Sequence, residues 1–148
     1  MKAVVVYDSV YGNTEKIARA IGGALSGDVK VVAAGKAGPA DLQSLDLLIV
    51  GAPTQGGRAT PAAQEFLSEL SGETVKGITV AAFDTRISAK WVGIFGYAAG
   101  RIARSLKGKG GNLAVPPEGF FVIGKEGPLK EGEIERAVAW VQAVGSTK

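Results

Sequence analysis

The stretch Ala3-Val4-Val5-Val6-Tyr7-Asp8-Ser9-Val10-Tyr11-Gly12-Asn13-Thr14-Glu15 decides how the chain is read. Ala3 to Tyr7 is a continuous run rich in β-branched residues that Asp8-Ser9 stops, the pattern of a strand buried on both faces. Ile17, Ala18, Ile21, Ala24 and Leu25 then recur at helical spacing as far as Gly27. The loop between them holds hydroxyls, an amide and one glycine, and it joins a strand to a helix. Such a loop suits a phosphate: amides at a helix N-terminus point at the ligand with the positive end of the dipole behind them. Ser9, Asn13 and Thr14 can donate further hydrogen bonds. The same residues equally suit a plain N-cap, with Glu15 favourable in the first turn.

Further along, the same alternation repeats. Val29 to Ala33 reads as a second strand, followed by the loop Gly35 to Pro39 and a short helical stretch over Ala40–Leu45. Leu47 to Val50 is a third strand, broken by Gly51-Ala52-Pro53. Pro61 fits the first turn of a helix whose inner face is Ala63, Phe66, Leu67 and Leu70. Ile78 to Phe83 is a fourth strand ending at Asp84, and a loop with Trp91 leads to a helix carrying Ala99, Ile102, Ala103 and Leu106. Leu113-Ala114-Val115 and Phe120 to Ile123 read as two halves of a fifth strand, interrupted by Pro116-Pro117-Glu118-Gly119. A last helix runs from Leu129 to Val144 with Ile134, Ala137, Val138 and Val141 inward. Strands alternating with helices five times predict one α/β domain over residues 1–148, a five-stranded parallel doubly wound sheet with right-handed crossovers. Ligands of such sheets sit outside the carboxyl ends of the strands, which singles out Asp8–Thr14, Pro53–Pro61, Asp84–Gly96 and Pro116–Gly119.

Composition narrows the chemistry. The 148 residues include no Cys and no His, so thiolate nucleophiles, Cys-held clusters and the commonest general base are excluded. Chemistry here rests on a cofactor or on carboxylates. The formal charge is +3, and the densest basic group, Arg101, Arg104, Lys107 and Lys109, suits the solvated face and C-terminal turn of a helix better than a nucleic-acid patch, since no aromatic residues interleave it. No apolar run approaches the roughly 20 residues of a membrane span, and the N-terminal run is too short for a signal peptide, which predicts a cytoplasmic protein. The first loop has a single glycine, Gly12, where a dinucleotide-binding loop needs three, and no G-x-x-x-x-G-K-[ST] follows a strand. A phosphorelay receiver would carry an Asp at the end of strand three, where this chain has Gly51-Ala52-Pro53.

Tyr7 to Thr14 resembles the phosphate loop of flavodoxins and of the flavodoxin-like modules of diiron flavoproteins, of general form hydroxyl-x-hydroxyl-Gly-x-Thr. Gly51-Ala52-Pro53-Thr54 and the order of the five βα units are similar too. The chain departs from that pattern at Tyr11, where small flavodoxins usually have a smaller hydroxyl residue, and in having no aromatic residue over Pro53–Pro61. The resemblance implies the strand order 2-1-3-4-5 and FMN as cofactor. It places the phosphate on Ser9, Val10, Tyr11, Gly12, Asn13 and Thr14. The isoalloxazine ring would lie between Pro53, Thr54, Gln55, Gly56 and Gly57 on one side and the segment from Asp84, Thr85 and Arg86 to Trp91 on the other. Gln55-Gly56-Gly57 can swing a peptide group toward a flavin nitrogen, because glycine tolerates positive φ; it also suits an ordinary tight turn. Trp91 is either a platform for the ring or an edge of the core, and Asp84-Thr85-Arg86 either touches the ribityl chain or pyrimidine edge or forms an Asx-type turn.

The leading functional expectation is an FMN-binding electron carrier between a reductase and an acceptor, with no catalytic residue or metal of its own, monomeric or weakly dimeric. A flavin-dependent NAD(P)H:quinone or protoporphyrinogen oxidoreductase is the alternative, and a cofactor-free interaction module of the same fold is a third reading. The net charge favours an acidic or neutral redox partner. Arg58, in a loop without Asp or Glu, is expected to ease reduction of a flavin if it lies near the ring.

Overall fold

The computed structural model describes residues 1–87 and 97–146. β1 (Lys2–Tyr7) lies between β2 (Asp28–Ala33) and β3 (Leu47–Pro53), parallel to both. Because side chains alternate across a strand, Val4 and Val6 point into one core while Ala3, Val5 and Tyr7 point into the other. Leu48 and Val50 of β3 join the first core, and Leu47 and Ile49 the second. Each such buried aliphatic side chain contributes about 1.5–3 kcal/mol, so a strand apolar on both faces is stable only with cover on both sides. β4 (Thr79–Ile87) pairs with β3, and two short strands, β5 (Asn112–Leu113) and β6 (Glu118–Val122), share the fifth position beside it. The order is therefore β2-β1-β3-β4-β5, with β6 also on β4.

Helices α1 (Asn13–Ala24) and α5 (Glu133–Ser146) cover one face, while α2 (Pro61–Glu69), α3 (Gly72–Val75) and α4 (Ala98–Gly108) cover the other. Pro61 stands at the first position of α2, and the Thr60 hydroxyl accepts from the Ala63 amide at 3.4 Å. Among the described residues, no helix is long and apolar enough to cross a membrane.

Four expectations need correction. The β2–β3 connection holds two 3-10 turns, Ala34–Lys36 and Pro39–Leu42, instead of one helical stretch. β3 continues through Gly51 and Ala52 to Pro53, because Gly51 pairs with Phe83 in register. Glu118 and Gly119 belong to β6 while β5 ends at Leu113, so the break in the fifth strand falls at 114–117, two residues earlier than the proline-rich run suggested. Ile134 is exposed, since α5 turns Ala137, Trp140, Val141 and Val144 inward instead.

Trp140 meets Phe83 and Phe120 edge to face, with ring centroids 6.0–6.1 Å apart. Gly51 makes room for this cluster: a Cβ there would sit 2.1–2.4 Å from Phe83 ring atoms. Gly51→Ala is expected to lower stability by roughly 1–3 kcal/mol or more through overpacking, read as a lower urea midpoint at unchanged slope.

The start of α5 is latched to β6. The Glu133 carboxylate is buried and accepts from the Phe121 amide at 2.7 Å and from Arg136, whose guanidinium also donates to the Gly119 carbonyl and pairs with Glu118 at 3.3 Å. Burial alone would push the Glu133 carboxyl up, but the hydrogen bonds from Arg136 and Phe121 and the charge of Arg136 outweigh it and hold the group below its usual value. A carboxyl depressed in the folded state stabilises above its unfolded pKa and loses that contribution as pH falls through its folded value. The stability difference between wild type and Glu133→Gln should therefore be full above about pH 5 and shrink below ~4, measured by urea unfolding across that range.

Candidate functional site

Strand order reverses between β1 and β3, and the loops at their carboxyl ends enclose a cavity of about 390 Å³. Val10, Tyr11, Asn13 and Thr14 form one wall. Pro53, Thr54, Gln55 and Gly56 form a second, and Thr85, Arg86 and Ile87 of β4 a third, closed by Val122 and Lys125. A larger open groove of about 1070 Å³ runs between the β2–β3 connection and α2–α3. It contains none of the segments at the carboxyl ends of β1, β3 and β4, so the smaller cavity is the one that fits a ligand of this architecture.

The first loop is built around Ser9 and Gly12. Gly12 takes φ +92°, a left-handed conformation that lets the chain enter α1 sharply. The Ser9 hydroxyl oxygen accepts from the Gly12 amide at 3.1 Å and from the Glu15 amide at 3.3 Å. With both lone pairs engaged, its O–H hydrogen remains to donate. The amides of Tyr11, Asn13 and Thr14 find no acceptor among the described residues. Such orphan donors at a helix start are what an anion satisfies. The Asn13 and Thr14 side chains are spent differently than the sequence suggests: Asn13 Nδ2 donates to the Glu126 carbonyl at 3.1 Å, and the Thr14 and Thr85 hydroxyls share a 2.8 Å hydrogen bond.

In the second loop, Gln55 and Arg58 exchange backbone hydrogen bonds of 2.8 and 3.0 Å around Gly56 (φ +57°) and Gly57 (φ +82°), a tight turn that demands two left-handed residues. Arg101 Nε donates to the Gly57 carbonyl at 2.8 Å, so part of the basic helix face anchors this turn. Arg58 is exposed and does not line the cavity.

The third wall differs most from expectation. β4 runs on to Ile87, so Asp84, Thr85 and Arg86 are strand residues and not a turn. Asp84 is fully buried and does not line the cavity; one oxygen accepts from Arg86 Nε at 2.7 Å, the other from Arg86 at 2.8 Å and from the Ala99 amide at 2.9 Å. The Thr54 hydroxyl oxygen accepts from the Ala98 amide at 3.0 Å. Asp84 of β4 and Thr54, just beyond β3, thus cap α4, whose own N-cap residue, Tyr97, makes no side-chain cap. Arg86 is wedged between the Tyr97 ring, 3.5 Å from its centroid, and Gly119, where a Cβ would fall 2.0 Å from Nε. Trp91 lies outside the described residues.

Of the residues the sequence singled out, Ser9, Gly12, Gly57 and Asp84 support the cavity from behind and do not line it. Ile87, Val122 and Lys125 were missed. The Val122 end of β6 puts residues after 122, and not Pro116–Gly119, at the ligand-bearing edge; counting Phe120–Ile123 as the end of the fifth strand would have pointed there. Among the described residues, no cluster of Asp or Glu could hold a metal. Removing Arg86 strands a buried carboxylate. Arg86→Met should cost roughly 3–5 kcal/mol, and adding Asp84→Asn should recover most of it, measured as a double-mutant cycle in urea.

A family model described as flavodoxin domain matches residues 4–95, more than half of the chain. No curated protein sequence matches. Among solved structures, a flavodoxin from the domain Archaea superposes with a TM-score of 0.83 at 22% identity, covering 99% of each chain. Flavodoxin 2 from Bacillus cereus gives 0.82 at 22% identity with both chains fully covered. The flavodiiron protein from Giardia intestinalis gives 0.75 at 20% identity, covering 99% of this chain and 37% of that one. With the sheet order, the loop at the start of α1 and the matched residues in agreement, the chain belongs to the flavodoxin domain family.

Proposed function

We propose that the chain binds FMN and carries electrons between redox proteins. The observation that supports this most is the set of amides at Tyr11, Asn13 and Thr14 that lack an acceptor among the described residues, beside a cavity whose described wall holds Arg86 and Lys125 and no carboxylate. The flavin would supply one- and two-electron transfer. The protein's part is positional. The loop amides hold the phosphate, the Ser9 hydroxyl braces that loop from behind, and the Thr14–Thr85 bond fixes the wall beneath it. With the Gly57 carbonyl held by Arg101, the Gly56–Gly57 peptide is the one free to turn toward a ring nitrogen. Val10, Tyr11 and Ile87, which are 50%, 46% and 37% exposed, form an apolar rim at the mouth. That rim suits contact with a second protein, which favours a carrier over an enzyme with a buried substrate site. Exposed Arg58, in the turn beside it, suits an acidic or neutral partner.

Ligand released by heat from the purified protein should be FMN by mass spectrometry, and the loaded protein should not oxidise NAD(P)H without a reductase. Gly12→Asp should weaken FMN binding by about tenfold or more, ~1.4 kcal/mol, because a side chain at φ +92° strains the loop and a carboxylate adds negative charge to it. Recovery of FAD, of a nicotinamide nucleotide, or of nothing after reconstitution with FMN overturns the reading.

A further inference from the structure

Lys125 brings to this site a charge with no partner among the described residues. It lines the same cavity as Tyr11, Asn13 and Thr14, yet it comes from the connection between β6 and α5, far away in sequence. That connection is seated on the start of α1. Asn13 Nδ2 donates to the Glu126 carbonyl at 3.1 Å, and Gly127 packs so closely on the Asn13 amide group that a Cβ would lie 2.5 Å from Nδ2. The Gly127 amide also closes a turn onto the Gly124 carbonyl at 3.0 Å. Lys125 is thus presented beside the phosphate loop by a backbone held in register with it.

Its charge is free, whereas the other cation in the wall is not. Arg86 is cancelled by Asp84 at 2.7 Å, but Lys125 has no ion pair or hydrogen bond among the described residues. Asp8, Glu15 and Glu126 are the nearest carboxylates in sequence to the two loops; none lines the cavity, and Glu15 pairs with Arg19. We infer that Lys125 pairs with the phosphate of the bound flavin and makes the site select phosphorylated over unphosphorylated flavin; this rests on the FMN reading above. Loop amides supply neutral donors in fixed directions. A lysine adds a point charge on a flexible stem, which is weakly directional, strong toward a dianion and screened by salt.

The test compares wild type, Lys125→Gln, Lys125→Arg and Arg58→Gln, each stripped of flavin and titrated with FMN and with riboflavin at low and moderate salt. Lys125→Gln should raise the FMN Kd by about fivefold to tenfold at low salt and leave the riboflavin Kd unchanged, with the difference shrinking as salt rises. Lys125→Arg should restore most of the FMN affinity, and Arg58→Gln should change neither ligand. Equal weakening of both ligands by Lys125→Gln would show a disturbed loop, and no change in either would show a lysine turned to solvent; both overturn the inference while leaving FMN binding intact. A wild type that binds riboflavin as tightly as FMN, or neither, overturns the FMN reading and this inference with it.

Discussion

β1, β3 and most of β4 are apolar on both faces, and nearly everything else follows from the need to cover them twice. A parallel strand cannot be covered by a hairpin, so each return passes through a crossover on one face or the other. Because every pairing is parallel, all strand carboxyl ends lie at the same edge. At β1 and β3 the chain leaves in opposite directions, to α1 on one face and to α2 on the other, and the gap between them is the cavity. The site is thus a by-product of burial, in that hydrophobic demand sets where polar loops can meet.

Polar groups at that edge then hold one another. Thr14 to Thr85, Asn13 to Glu126, Thr54 and Asp84 to the start of α4, and Arg101 to Gly57 each join two different loops or elements. None is long range in energy, and each contributes on the order of 1 kcal/mol, more where a charge takes part. Together they fix the relative positions of loops that share no strand pairing.

What could be read from the residues alone divides along the same line. Ala3–Tyr7, Leu47–Val50 and the helical spacing of Ile102, Ala103 and Leu106 express burial, and burial writes a periodic pattern. The Gly12 loop was legible because strand, glycine and helix start fall together. Asp84 was not: a carboxylate at a strand end looks ready for a ligand, and only the fold shows Arg86 and α4 already using it. Lys125 was hidden because a lone lysine in a loop has no pattern, and its place depends on where the fifth strand ends. Ile134 was misassigned because two phases fit α5, and the Phe83–Phe120–Trp140 cluster selects one of them.

The short 3-10 turns between β2 and β3 have a consequence for motion. β2 is an edge strand whose Asp28 and Lys30 lie in solvent, and without a full helix there its cover on one face is thin. Its backbone hydrogen bonds to β1 can open without disturbing β3 and β4, so amide exchange should be graded across the sheet, fastest at β2 and slowest at β3. The cavity leans on the slow side of that gradient, which lets one margin of the sheet breathe while the ligand-bearing loops stay in place.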